Sequence, residues 1–293
     1  MKRLTISSDK KSFNKGLKPH SAVVVAFAIA LVCAFTLPAH KAQAQTTETP
    51  WQNQTQSQLS AVWWEWILNV PVSISPWFDD TGAKAATSQP YFSAPGGNGN
   101  LLFLIGTITV QQLQNGDVLG QVTRSITVKQ GTALFFPLIN TEWDNICGKP
   151  HLGGNCFGAA KFPQVLGVPE LQALAAASVD GVTGVYSTMT PTDKKFQKTT
   201  GDAANEAIAR LQSPPFAYDV PATDNIYQYF GINGISGTVA PAVSDGYWSF
   251  IPGTGAGSLA PGYYVLQFGG GFPINDQGNT FTEAITYKIT VTP

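Results

Sequence analysis

The chain has 293 residues, with 17 basic and 18 acidic side chains, three cysteines and 11% aromatic residues. That density of aromatic and aliphatic side chains excludes an intrinsically disordered chain. Seven of the basic residues and only Asp9 of the acidic ones precede residue 45, so without residues 1–44 the formal charge falls to −7, which disfavours nucleic acid and anionic lipid as partners.

Lys2, Arg3, Lys10, Lys11, Lys15 and Lys18 lead into an uncharged apolar run, Ser21–Ala39, followed by Ala42-Gln43-Ala44. A basic start, an apolar run and a small-x-small site form a secretory signal. Residues 1–44 are therefore expected to be a signal peptide, and the mature chain secreted or periplasmic. Retention as an anchor is the alternative, since the run approaches the roughly 20 residues that cross a bilayer. In either case the rest of the chain lies outside the cytoplasm, and no membrane span is expected in the mature part. Bulky Val32 before Cys33 and the continuing AFTL after it argue against lipid attachment there.

With Cys33 removed, Cys147 and Cys156 bracket GKPHLGGN. An even cysteine pair in an exported chain is expected to be a disulfide. Zinc lacks ligands, because His151 is the single histidine after residue 44 and no CxxC is present. No linker divides the remainder, so the expected organisation is a flexible polar segment over 45–56 and one β-rich domain over 57–293.

The first element after that segment is a helix beginning near Ser57, with Leu59, Val62, Trp63, Trp66 and Ile67 at helical spacing. Pro71 and Pro76 end it, and its tryptophans are expected to pack on the domain body rather than form a ligand platform. LLFLIGTITV (101–110) reads as a strand, Asn115-Gly116-Asp117 as a turn, and 118–128 as a half-buried strand with Val122, Ile126 and Val128 on one face. TALFFPLIN reads as a doubly covered strand up to Pro137. PELQALAAAS and DAANEAIARLQ (202–212) read as two short helical inserts flanking a strand, VTGVYSTMT. DGYWSFIP and LAPGYYVLQFGG are consecutive strands joined by a Gly/Pro-rich turn. In the last strand Phe281, Ile285, Tyr287, Ile289 and Val291 share a face that only Glu283 interrupts. The expected fold is mainly β, an antiparallel sandwich or jelly-roll-like body with an N-terminal amphipathic helix.

WWEWILNVPVSISPWFDDTGA, TRSITVKQGTALFFPLIN, RLQSPPFAYDVPATDN, DGYWSFIP and LAPGYYVLQFGG occur in this order across most of the mature chain. In these segments the chain resembles a family of exported bacterial proteins without an assigned activity. The resemblance implies export but carries over no catalytic residue. Where the family has a strand like HTIHF, this chain has YYVLQF, so no histidine chemistry follows.

Candidate chemistry therefore comes from the residues themselves. Asn140, Glu142, Asp144 and Asn145, with His151 near the cysteine loop, form a polar cluster that could hold calcium. A solvated, turn-forming strand end is the preferred reading of the same residues. Asp79 and Asp80 could complete an ion site, but a turn or helix cap before Thr81-Gly82 is preferred. No cofactor is otherwise expected, and no GxSxG elbow or phosphate-binding glycine motif is present. Two functions stay open. One is a non-enzymatic domain binding a glycan or surface protein through Trp77, Tyr91, Tyr227, Tyr229 or Trp248. The other is a hydrolase of an extracellular polymer using Glu142 and Asp144.

Overall fold

Thr55 starts the first helix, α1 (Gln56–Asn69), through a capping box. The Gln58 amide donates to Thr55 Oγ1, and Gln58 Oε1 accepts from the Thr55 amide. Leu59, Trp63, Trp66 and Ile67 are buried on its inner face, and Val70 is already extended ahead of Pro71. A computed structural model describes residues 51–92, 100–146, 165–193, 195–201, 204–274 and 278–293. The expected signal segment, Cys147, Cys156 and His151 lie outside them. Among the described residues no helix is long and apolar enough to cross a membrane. Trp51 and Gln54, within the stretch expected to be flexible, exchange backbone hydrogen bonds, and the Trp51 ring lies 4.9 Å from that of Tyr91.

Two single helical turns, Val72–Ile74 and Pro76–Phe78, lead from α1 into the strands. These are β1 (Leu101–Phe103), β2 (Val110–Gln112), β3 (Val118–Lys129) and β4 (Ala133–Asp144). Helix α2 (Val168–Val179) precedes β5 (Thr183–Asp193), β6 (Lys198–Thr199), β7 (Ala204–Asn205), β8 (Ile208–Gln212) and β9 (Phe216–Val220). A one-turn helix, α3 (Ile226–Tyr229), leads to β10 (Gly237–Ile251), β11 (Gly262–Pro273) and β12 (Thr280–Thr292).

Sheet one runs β1-β4-β10-β8, with β9 also on β10, and sheet two runs β2-β3-β12-β11-β5-β6, with β7 on β5. The expected sandwich is present, but its sheets are mixed: β1 with β4 and β3 with β12 pair in parallel. Consecutive β10 and β11 belong to different sheets, so the Gly/Pro-rich turn between them carries the chain across the sandwich.

The layers follow from the alternation within β4. Leu134, Phe136 and Leu138 face sheet two, where they meet Leu266, Phe268, Ile285 and Ile289. Ala133 and Phe135 face the other way and join Trp63, Trp66 and Trp248 under α1. The Phe135 and Trp248 rings stack at 4.9 Å. The result is helix, sheet, sheet, with sheet one buried on both faces.

Three expectations need correction. Residues 204–205 and 208–212 are strands rather than helix: β7 pairs with β5, and β8 pairs with β10, where Arg210 reaches Asp245 at 3.0 Å and Asp180 at 2.7 Å. Sheet pairing overrides the local helix preference there. The strand expected over 101–110 is broken into β1 and β2, with Gly106 between them. The strand expected to stop at Pro137 continues to Asp144, so Asn140, Glu142 and Asp144 lie within its last, half-buried stretch.

Candidate functional site

Among the described residues, strand β4 has no strand neighbour on one edge beyond Phe135. β1 pairs with it only over 101–103, and after Leu104 donates to the Phe135 carbonyl at 3.0 Å the chain turns away toward β2. Hydrogen-bonding direction repeats every second residue, so the position of Pro137 two residues on puts its missing N–H on that same open edge, where proline is tolerated. Tyr247 then stands opposite Ile139 and Trp248 opposite Pro137, which leaves Leu138 as the extra residue of a β-bulge.

The bulge reverses which residues face which way. Beyond it Ile139 packs toward sheet two with Val118, Phe272 and Phe281. Asn140, Glu142 and Asp144 consequently turn to the helix side, under Tyr218 and Tyr227. Three of the five residues of the expected cluster are thus brought to one face, Asn145 instead exchanges hydrogen bonds with the Leu166 backbone, and His151 is outside the described residues.

A cavity of about 190 Å³ lies at this open edge. Trp63, Trp64 and Trp77 form part of its wall, and Glu142 of sheet one and Glu283 of sheet two both line it. It is somewhat larger than an apolar cavity of about 150 Å³ that holds benzene. Among the described residues, no Lys, Arg or His lines it.

Glu283 is the residue that interrupts the inward face of β12. Its Oε1 accepts the Thr107 amide at 2.7 Å. Gly106 permits this, since a Cβ at that position would overlap the carboxyl group. Burial pushes the Glu283 acid up to about 7, against the opposing pulls of the Thr107 amide and of Arg124. Arg124 is buried, yet it is fastened elsewhere. It donates to the carbonyls of Asp79, Ile105 and Gly106 at 2.6, 3.1 and 3.0 Å, and to Tyr287 Oη at 3.3 Å. The guanidinium therefore holds the 105–106 segment in place beside Glu283 without forming an ion pair with it.

Burial, and then the neighbouring Asp144, push the Glu142 acid well above the usual carboxylate range. Its Oε1 is enclosed without a hydrogen-bond partner, as are Asn140 Nδ2 and Trp64 Nε1. Asp144 is differently employed: Oδ1 accepts the Ile146 amide at 2.7 Å and Oδ2 accepts the Tyr218 hydroxyl. Tyr218 and Tyr227 are 2.5 Å apart, oxygen to oxygen, so a hydrogen-bonded chain runs from the cavity wall to Asp144. Burial, and then the Asp144 charge, push both tyrosines well above their ordinary value.

The other expected site residues lie apart from this arrangement. Asp79 Oδ1 accepts from the Thr81 amide and hydroxyl and Oδ2 from the Lys84 amide, the expected turn, and Asp80 is exposed. Among the described residues no group of three or more His, Cys, Asp or Glu side chains converges as a metal site. Trp77, Tyr227 and Trp248 are buried and Tyr91 is half-buried, leaving only Tyr229 of the five candidate aromatics exposed. The exposed aromatic strip is therefore corrected: large rings gain most from burial and are spent under and beside α1. Glu283 and Arg124 are additions to the candidate residues. Each had a signal in the alternation, Glu283 as the break in β12 and Arg124 at the same parity as Val122 and Ile126 in β3.

Fold and cavity define a mainly β, two-sheet sandwich-like protein with an acid-lined pocket at one strand edge. No family model, curated protein or solved structure matches the chain.

Proposed function

We propose that the protein is an exported, non-enzymatic β-sandwich domain that binds a small molecule in the cavity beside β4. The observation that carries this reading is the convergence of two carboxyl groups that form no ion pair, Glu142 and Glu283, on one aromatic-walled cavity of about 190 Å³. Apolar pockets with a few placed polar groups are the usual form of small-molecule sites. The size favours a molecule of benzene dimensions with a few further atoms over a polymer chain.

One feature favours the hydrolase instead: burial and then Asp144 raise the Glu142 acid well above the usual carboxylate range, the direction a general acid needs. Against it, Asp144 has both oxygens engaged, by Ile146 and Tyr218, so the expected second acid is not free to activate water. The test is a thermal-melting screen of the protein, purified as the cell exports it, against small amines, alcohols and monosaccharides, with polysaccharide hydrolysis measured in parallel. A native-state ligand raises the midpoint by mass action. A rise that Glu142→Gln abolishes, without turnover of any polymer, is expected. Hydrolysis lost in Glu142→Gln would replace binding by catalysis.

A further inference from the structure

The ligand's chemical class can be taken further, resting on the cavity as the binding site: the geometry points to a small organic cation, an ammonium group on an apolar frame, held between Glu142 and Glu283 against the tryptophan wall. The two carboxyl groups and the Tyr227 phenol are the ionisable groups lining the cavity, and among the described residues none that lines it carries a positive charge. Arg124, the described cation whose charge acts on Glu283, is committed to backbone carbonyls and to Tyr287. Glu283 keeps one oxygen for Thr107, and Glu142 has no hydrogen bond to another described side chain or to backbone. Buried carboxyl groups without a countercharge are costly in the ionised form. A ligand cation supplies the missing charge and forms charge-assisted hydrogen bonds, which exceed neutral ones in strength.

The wall argues the same way. Trp63, Trp64, Trp77, Tyr227 and Phe230 line the space, and aromatic residues around a cavity suit ammonium groups through the ring quadrupole. An anion would meet two carboxyl groups, and a purely apolar molecule would leave Glu142 Oε1 without a partner. The volume admits roughly eight to ten heavy atoms, judged against the cavity of about 150 Å³ that holds benzene.

Binding is coupled to protons. Glu142 is faced by Asp144 on its own strand, Tyr218 of β9 and Tyr227 of α3, and Glu283 by Arg124 of β3 and Tyr186 of β5. None of these is a cation free to replace the ligand. A bound ammonium favours the ionised carboxylates, so complex formation releases protons, and affinity falls as pH drops below about 7, where Glu283 takes up its proton.

Isothermal titration calorimetry on the purified protein with a matched series, benzylammonium, benzyl alcohol, toluene and benzoate, tests this. Benzylammonium is expected to bind about tenfold tighter than benzyl alcohol, the ratio between a charged and a neutral hydrogen bond. Its affinity is expected to rise between about pH 6 and about pH 8, with proton release read from buffers of different ionisation enthalpy. Glu142→Gln and Glu283→Gln are each expected to lower that preference. Benzyl alcohol or toluene binding as tightly as benzylammonium overturns the cation while leaving the cavity as a ligand site. Failure of all four overturns both. The ranking on the unaltered protein decides the matter even if a variant fails to fold.

Discussion

The two faces of sheet one are built to different standards. Toward sheet two, Leu134, Phe136 and Leu138 meet Leu266, Phe268, Ile285 and Ile289, and every one of these side chains is apolar and buried. Toward α1 the same sheet carries Trp248, and beyond the bulge Asn140 and Glu142, with enclosed polar atoms on all three and on facing Trp64 left without partners. Buried polar groups are ordinarily paired. The inter-sheet face is therefore a stability core, whereas the helix-side face tolerates local cost around a cavity, as binding sites do.

The largest expected effect breaks the first of these faces. Phe136→Ala should lose about 3–5 kcal/mol in chemical denaturation, because a buried ring leaves a void in a packed layer. That loss should vary little with pH, since Phe136 packs on Phe268 and the titratable member of its cluster, Tyr287, stacks on that second ring. A loss that varied strongly with pH would mean that the two faces are not energetically separate.

Next in size is the pH dependence of the other face. Glu283 ionises near 7 in the fold against 4.5 for a solvated glutamate, so the folded protein holds an extra proton between those values. The contribution is full below 4.5 and is lost as pH rises through about 7. The loss amounts to about 3 kcal/mol from this group, and Glu142, also raised, adds a slope of the same sign. Glu283→Gln should flatten the decline in a series of denaturation curves over this window. An unchanged slope would remove Glu283 as its source.

Glu142→Leu should act in the opposite direction to Phe136→Ala. An apolar side chain replaces an acid that has no partner for its enclosed oxygen, and such exchanges are neutral or stabilising by about 1–2 kcal/mol. A higher melting temperature together with lost ligand binding is the expected pair of results. A large loss of stability would show that Glu142 is a structural residue.

Much of this contrast was legible in the sequence where one periodicity ran unbroken. The alternation of β12 exposed Glu283 as an odd residue on an apolar face, and the helical spacing of Leu59, Trp63, Trp66 and Ile67 matched the buried face of α1. The cluster of Asn140, Glu142 and Asp144 was visible as alternate residues, but its burial was not, because Pro137 looked like an end and the bulge at Leu138 leaves no local mark. Nor could residues 208–212 be recognised as strand, since the partner that fixes them, β10, lies more than 30 residues away in sequence. The tryptophans and tyrosines posed a related difficulty. Composition supplies rings, while only the layer order decides whether they line a surface or a cavity.

The smallest predicted effect tests whether the open edge of β4 is kept clear for an acid. Gly106 has no left-handed backbone requirement, so Gly106→Ala is opposed only by the Glu283 carboxyl group that a Cβ would meet. Overpacking of this kind costs about 1–3 kcal/mol in the otherwise unaltered protein. In a Glu283→Ala background the obstacle is gone, and the same substitution should cost about 1 kcal/mol less. A double-mutant cycle measured by denaturation reads that difference directly. If the two substitutions add without coupling, the glycine serves the turn of the chain away from β4, and the space beside the strand is a consequence of that turn. If they couple, the acid and the glycine are one device, and the gap in sheet one exists because Glu283 occupies its rim.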